Sequence, residues 1–212
     1  MGQNASPGTN SKIVEYFNEA LSVENAAIDR LKTRIGECPL QEGKQRLQQH
    51  LEETRGHQNR LQDIISKYGG SPTDAKAHLS TPKPPMTQLM RKALGDTIKS
   101  VKGDTGNPLL EELELIRAKE DAILEHAEIV SYRMLMQLAE RAGAQDAMPL
   151  LKQNLQEEES MAKWIMDNTP LMLDRLWPKI QSASTANRQM FSLFSSKTLF
   201  YENKRLHQCK SR

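Results

Sequence analysis

Four glutamates occupy positions where a leucine would be expected. Glu24, Glu53, Glu125 and Glu158 each fall within the apolar stripe of a different predicted helix. On the first stripe Ile13, Phe17, Ala20, Glu24, Ala27, Leu31 and Ile35 recur at three- or four-residue intervals and so share one face. On the last, Leu151, Leu155, Glu158, Ala162 and Ile165 do the same. A carboxylate aimed at a bundle core is costly unless it is paired, protonated or bound to a metal. One per helix, converging from four helices, describes a site. Glu53 and His57 stand four apart, so side chains from adjacent turns can reach one ion. Glu128 follows Glu125 by three on the line Asp121, Glu125, Glu128, Tyr132, Leu135. The candidate metal ligands are Glu24, Glu53, His57, Glu125, Glu128 and Glu158. His50 and Tyr132 are placed as hydrogen-bonding supports, the choice between His50 and His57 as ligand staying open. Asp29, Glu52, Glu157 and Glu159 fall off the stripes and read as solvated, as does His126.

Oxygen donors with a minority of nitrogen suit iron or manganese, and the lack of thiolate argues against structural zinc. Left to themselves the carboxylates would repel one another and drive several pKa values up. Two divalent cations would neutralise most of that charge. The expected cofactor is therefore two iron ions, with manganese as the alternative.

The elements that must carry these residues are helices. The first is predicted over residues 11–35, with Ser11 as N-cap, and the second over 41–68, closed by Gly69-Gly70-Ser71-Pro72. The third is predicted over 108–142 and the fourth over 146–167. Short turns make the first two, and the last two, antiparallel neighbours. Residues 72–108, rich in Pro, Gly, Thr and Lys, form a long crossover with one modest helix at 86–101. The fold class is thus all-α, a ferritin-like four-helix bundle of two antiparallel hairpins joined by a long crossover. The bundle occupies about residues 11–180, with a disordered start at 1–10 and a basic, flexible tail at 181–212. Residues 168–179 are read as a short terminal helix with Trp177 against the bundle end.

Composition narrows the function. A formal net charge of +2 is too near neutral to imply a nucleic-acid partner, and no apolar run is long enough to span a membrane. No secretory signal is legible, and Cys38 and Cys209 form no CxxC pair. A reducing, cytoplasmic setting is expected.

Three segments carry a resemblance. Leu47-Gln48-Gln49-His50-Leu51-Glu52-Glu53-Thr54 with Arg60-Leu61, Glu125-His126-Ala127-Glu128-Ile129 with Tyr132, and the stretch from Leu151 to Glu159 resemble the YciE/YciF-type ferritin-like stress-protein family. The likeness covers about residues 12–167 and implies a ferritin-like bundle with a di-metal centre, often as a homodimer. The Glu125–Glu128 pair is also similar to that of rubrerythrin. One departure stands out. Di-metal bundles of this kind carry Glu-x-x-His on two helices, yet Gly56 follows Glu53 by three and Met161 follows Glu158 by three. The expected function is a di-iron protein that oxidises Fe(II) with peroxide or oxygen, or reduces peroxide, in a stress response. The rival is a non-enzymatic, stress-associated helical module with a structural or vestigial metal site. A carboxylate hydrolase would need a nucleophile–base pair, and none is visible.

Overall fold

The computed structural model describes residues 7–79 and 108–208, with side chains described over 11–79 and 110–182. Every regular element among them is helical. Helix α1 spans Pro7–Glu37, α2 Gln41–Lys67, α3 Pro108–Arg141 and α4 Met148–Gln208, with a single 3-10 turn at Gln145–Ala147 before α4. α1 packs along α2 and α3 along α4, and the two hairpins meet through α2 against α4 and α1 against α3. This is the expected bundle of two hairpins. The crossover helix expected at 86–101 lies outside the described residues.

Two helix ends differ from expectation. α1 begins at Pro7, so Ser11 lies inside the helix and is not its cap. A proline in the first turn has no N–H to leave unpaired, and its ring presets the helical φ. α4 does not stop near Asp167 but passes Pro170 and Pro178. Leu176 and Ile180 are buried on the continuing face, and Arg175 pairs with Glu42 at the start of α2 at 2.7 Å. Burial and the ion pair offset the hydrogen bonds each proline forfeits. The residue against the bundle is Leu176, whereas Trp177 is 54% exposed.

Two helices end at a glycine with positive φ: α2 at Gly69, 78°, where the crossover begins, and α3 at Gly143, 74°, in the turn to α4. After α3, the Gly143 N–H bonds Glu140 O at 3.1 Å and the Ala144 N–H bonds Ala139 O at 2.8 Å, closing the helix in a Schellman-type turn. A Cβ at Gly143 would meet no atom within 4 Å, so the only penalty of a side chain there is the left-handed backbone. Gly143→Ala should therefore cost about 1 kcal/mol and lower Tm by roughly 2–4 °C in a thermal melt. An unchanged Tm would refute the backbone argument.

The core is split by a polar layer. One apolar cluster contains Phe17, Leu21, Leu61, Ile64, Tyr132, Leu135 and Leu151; the other contains Ile28, Leu31, Leu47, Leu51 and Met161. On α1, Glu24 falls between Leu21 and Ile28. On α2, Thr54 and His57 fall between Leu51 and Leu61. On α4, Asn154 and Glu158 fall between Leu151 and Met161. All five of these polar residues are buried. A second buried charged layer ties α1 to α3. Arg34 bonds Asp121 at 2.7 Å and Glu114 at 2.9 Å, and Arg30 bonds Asp121 at 2.6 Å. Glu24 pairs with Tyr132 higher on the same two helices, so α1 and α3 run antiparallel.

Candidate metal centre

Glu24 of α1, His50 and His57 of α2, Glu125 of α3 and Glu158 of α4 are each at most 5% exposed and meet in the polar layer. Glu158 lies at the middle. Its Oε1 is 2.9 Å from His57 Nδ1, which is also 3.3 Å from Glu24 Oε2. Its Oε2 is 3.5 Å from His50 Nε2, which is 3.1 Å from Glu125 Oε2. Two sets of three donors, Glu24–His57–Glu158 and His50–Glu125–Glu158, each hold their ligand atoms within 4.8 Å of one another. One carboxylate is common to both, with one oxygen turned to each.

Helical spacing explains the histidines. His50 and His57 are seven apart, two turns along one stripe, so each reaches a different trio. Thr54 lies between them, its hydroxyl donating to His50 O at 2.9 Å. Glu53 is rotated off this stripe. It sits at the bundle edge, 17% exposed, where it accepts from Arg46 at 3.0 Å and Gln49 at 2.8 Å and meets His50 Nδ1 at 3.0 Å. The expected roles of Glu53 and His50 are thereby exchanged in position: the imidazole faces the centre and the carboxylate holds the imidazole. Glu128 is partly buried and belongs to neither trio. It lines small clefts between α1 and α3 that also touch Glu24, Tyr132, His50 and Glu125. Tyr132 is buried and donates to Glu24.

Electrostatics follow from burial and like charge. Burial and the neighbouring Glu128, Glu125 and Glu24 raise Glu158 well above the usual carboxylate range. Burial, then Glu24 and Glu125, raise Glu128 in the same way. Burial would also raise Glu125, but its contact with His50 outweighs this and holds it below its ordinary value. For His50, burial favours the neutral ring, yet Glu125 and Glu53 push its pKa up to about 10. Burial opposes ionisation of Glu53 as well, but His50 and Arg46 bring it down to about 2. Tyr132 is raised by burial and by Glu24.

The donors fit a cation. Both oxygens of Glu158 and Oε2 of Glu125 are buried without a hydrogen-bond partner; the imidazoles approach them off the hydrogen-bonding line. Leaving such lone pairs unpaired in a core is expensive. Here they converge with imidazole nitrogens, and an oxygen-rich set with a minority of nitrogen suits iron or manganese. Gly56 and Met161 stand where a Glu-x-x-His pattern would put histidines, and α2 makes up the difference by supplying one imidazole to each trio.

A model for a domain of unknown function, DUF892, matches residues 13–175. The chain belongs to the DUF892 family. Among solved structures, the DUF892 chain is similar to a protein from Xanthomonas campestris pv. campestris, with a TM-score of 0.57 and 23% identity over 82% of this chain and 99% of that one. It is similar to the E. coli stress protein YciF, with a TM-score of 0.54 and 20% identity over 78% and 97% of the two chains. YcfI from Rhodopseudomonas palustris gives 0.52 and 23%, over 74% and 93%. At these identities the likeness is one of fold, and it agrees with the YciE/YciF-type resemblance of the motifs. Among the described residues, no helix of the DUF892 chain is long and apolar enough to cross a membrane.

Sequence reading missed part of the surroundings. Glu157, read as solvated, meets His57 Nε2 at 2.9 Å and pairs with Arg60. Asn154, four before Glu158 on the same stripe, was legible by the same periodicity that singled out the glutamates. Arg60 carried no such signal. Asp29, Glu52 and His126 are exposed as expected, and Glu159 is half-buried on the outer side, paired with Arg133.

Proposed function

We propose that this DUF892 chain binds two metal ions, iron for preference, between α1, α2, α3 and α4, and uses them to oxidise Fe(II) with peroxide or oxygen or to reduce peroxide. The observation that carries this reading is Glu158, buried and without a hydrogen-bond partner, turning one oxygen to each trio. Glu24 and His57 would hold one ion, His50 and Glu125 the other, and Glu158 both. When bound, the pair would supply one-electron redox chemistry and electrostatic stabilisation of reduced oxygen. The chain's own residues do the rest. The two apolar clusters keep bulk water from either side of the layer. Tyr132 holds Glu24 in place. The α1–α3 clefts beside Glu128 give a small oxidant a way in. A role in stress, as the name of YciF has it, accords with removal of peroxide or ferrous iron. A homodimer belongs to the same reading, since Ile123, Val130 and Met134 expose apolar surface on the outer side of α3.

Anaerobic loading of tag-free protein with Fe(II) should give about two ions per chain by elemental analysis, as carboxylate bundles of this design hold. Loading should also raise Tm, because only the folded site binds. The second reading is a metal-free polar network in a non-enzymatic module, and the contacts of His50 with Glu53 and Glu125 speak for it. Uptake below about half an ion per chain would favour that module over the two-metal protein.

A further inference from the structure

Two hydrogen-bonded arms run from one guanidinium to one half of the centre. Arg60 lies over Gly56, whose missing side chain leaves the space: a Cβ there would come within 3.1 Å of Nη1 and 3.3 Å of Nη2. A glycine in mid-helix is otherwise a poor choice. From this seat Arg60 pairs with Glu157 and donates through Nε to Asn154 Oδ1. Along one arm Glu157, also held by Gln153 at 3.0 Å, meets His57 Nε2 at 2.9 Å. Along the other, fully buried Asn154 donates to the Tyr132 hydroxyl at 2.9 Å, and Tyr132 donates to Glu24. The arms end on His57 and Glu24, the two members of one trio that the other does not share. None of Gly56, Arg60, Asn154 or Glu157 supplies an atom to either trio. The second trio is organised differently, with Glu53 at the back of His50.

We propose that Arg60, seated on Gly56, positions the Glu24–His57–Glu158 trio for its metal ion. Glu157 is the acceptor that fixes the Nε2–H of His57, which turns the Nδ1 lone pair toward Glu24 and Glu158. A carboxylate behind a metal-binding imidazole fixes both tautomer and ring orientation. The Arg60 cation balances Glu157, so the support adds no net negative charge to a site already rich in carboxylates. This inference rests on the two-metal reading above and assigns residues that hold only one of the two sites.

Titration of the full chain with Co(II), followed by its visible absorption and by proton NMR of the Co(II)-shifted imidazole N–H resonances, tests it. Arg60→Ala and Glu157→Ala should weaken one of two binding steps by about tenfold to a hundredfold and leave the other. The slowly exchanging N–H of His57 should vanish in Glu157→Ala. Glu157→Gln keeps the size and a carbonyl acceptor, so it should fold and lose less affinity than Glu157→Ala. A merely structural tie between α2 and α4 would lower Tm while leaving both Co(II) steps and the N–H signal unchanged, and that result overturns the inference alone. Wild-type chain that takes up no Co(II) would overturn the two-metal reading, and this inference with it.

Discussion

Glu158→Ala should abolish tight metal binding, taking Fe(II) from about two ions per chain to below about half an ion. No other ligand change is expected to do as much, because Glu158 alone belongs to both trios. Loss of Glu24 removes a donor from one trio and loss of Glu125 from the other, so each of those variants should retain one weakened site. Glu159→Ala is the control. Its neighbour on the helix points about 100° away, and the Glu159 side chain pairs with Arg133 on the outside. The metal-free protein should respond with the opposite sign. Glu158 is buried and crowded by Glu24, Glu125 and Glu128, so ionising it opposes folding. Glu158→Gln should leave the apo Tm unchanged or raised while metal binding collapses. If that substitution instead lowered apo Tm sharply, Glu158 would be a structural hydrogen-bond partner and the two-metal site would lose its central member.

The apo protein should lose stability as pH rises from about 6.5 to about 10. His50 sets this window: burial works against its charge, but Glu125 and Glu53 push its native pKa up to about 10 from an ordinary value of 6.5. A base that holds its proton more tightly in the native state stabilises the fold fully below its unfolded pKa, and that contribution drains away as pH climbs through the native one. Glu128 and Glu158 add to the trend. Each is a carboxylate with a raised native pKa, so folding is favoured while it stays protonated and the benefit fades above the ordinary 4.5. At the acid end Glu53 acts in reverse. Its native pKa of about 2 means its stabilisation is present above 4.5 and is lost as pH falls toward 2. The maximum should lie at about pH 4.5, with the decline steepening above 6.5 as the His50 contribution goes. A tenfold difference in proton affinity is worth about 1.4 kcal/mol. At roughly 2–4 °C per kcal/mol for a chain of this size, Tm should fall by on the order of 10 °C between pH 6.5 and 10. His50→Gln should flatten the profile. A flat wild-type curve over that interval would mean that His50 is neutral in the fold. Metal affinity should move the other way and strengthen with pH, because a ligating imidazole must first give up its proton.

Much of this was written into the chain itself. Three- and four-residue spacing is a local property, and it placed Glu24, Glu125 and Glu158 on inward stripes that the fold keeps buried. The short links at residues 38–40 and around Gly143 left antiparallel hairpins as the compact solution. Glu53 shows where periodicity stops. His50, Glu53, Thr54 and His57 all lie near one face of α2, and choosing which of them meets the axis needs a phase finer than one residue, or about 100° of helix. Packing against α1 and α4 supplied that phase, giving the centre to His50 and His57 and the rim to Glu53. Longer-range choices were further out of reach. Arg34 meets Glu114 and Asp121, and Arg60 meets Glu157, only because the axial offset between helices brings them level. That offset depends on how two apolar clusters interlock, and a one-dimensional pattern does not encode it. α4 likewise passes Pro170 and Pro178 because Leu176 and Ile180 find cover on the bundle. The local rule says stop at a proline, and burial, which exists only in three dimensions, outweighs it.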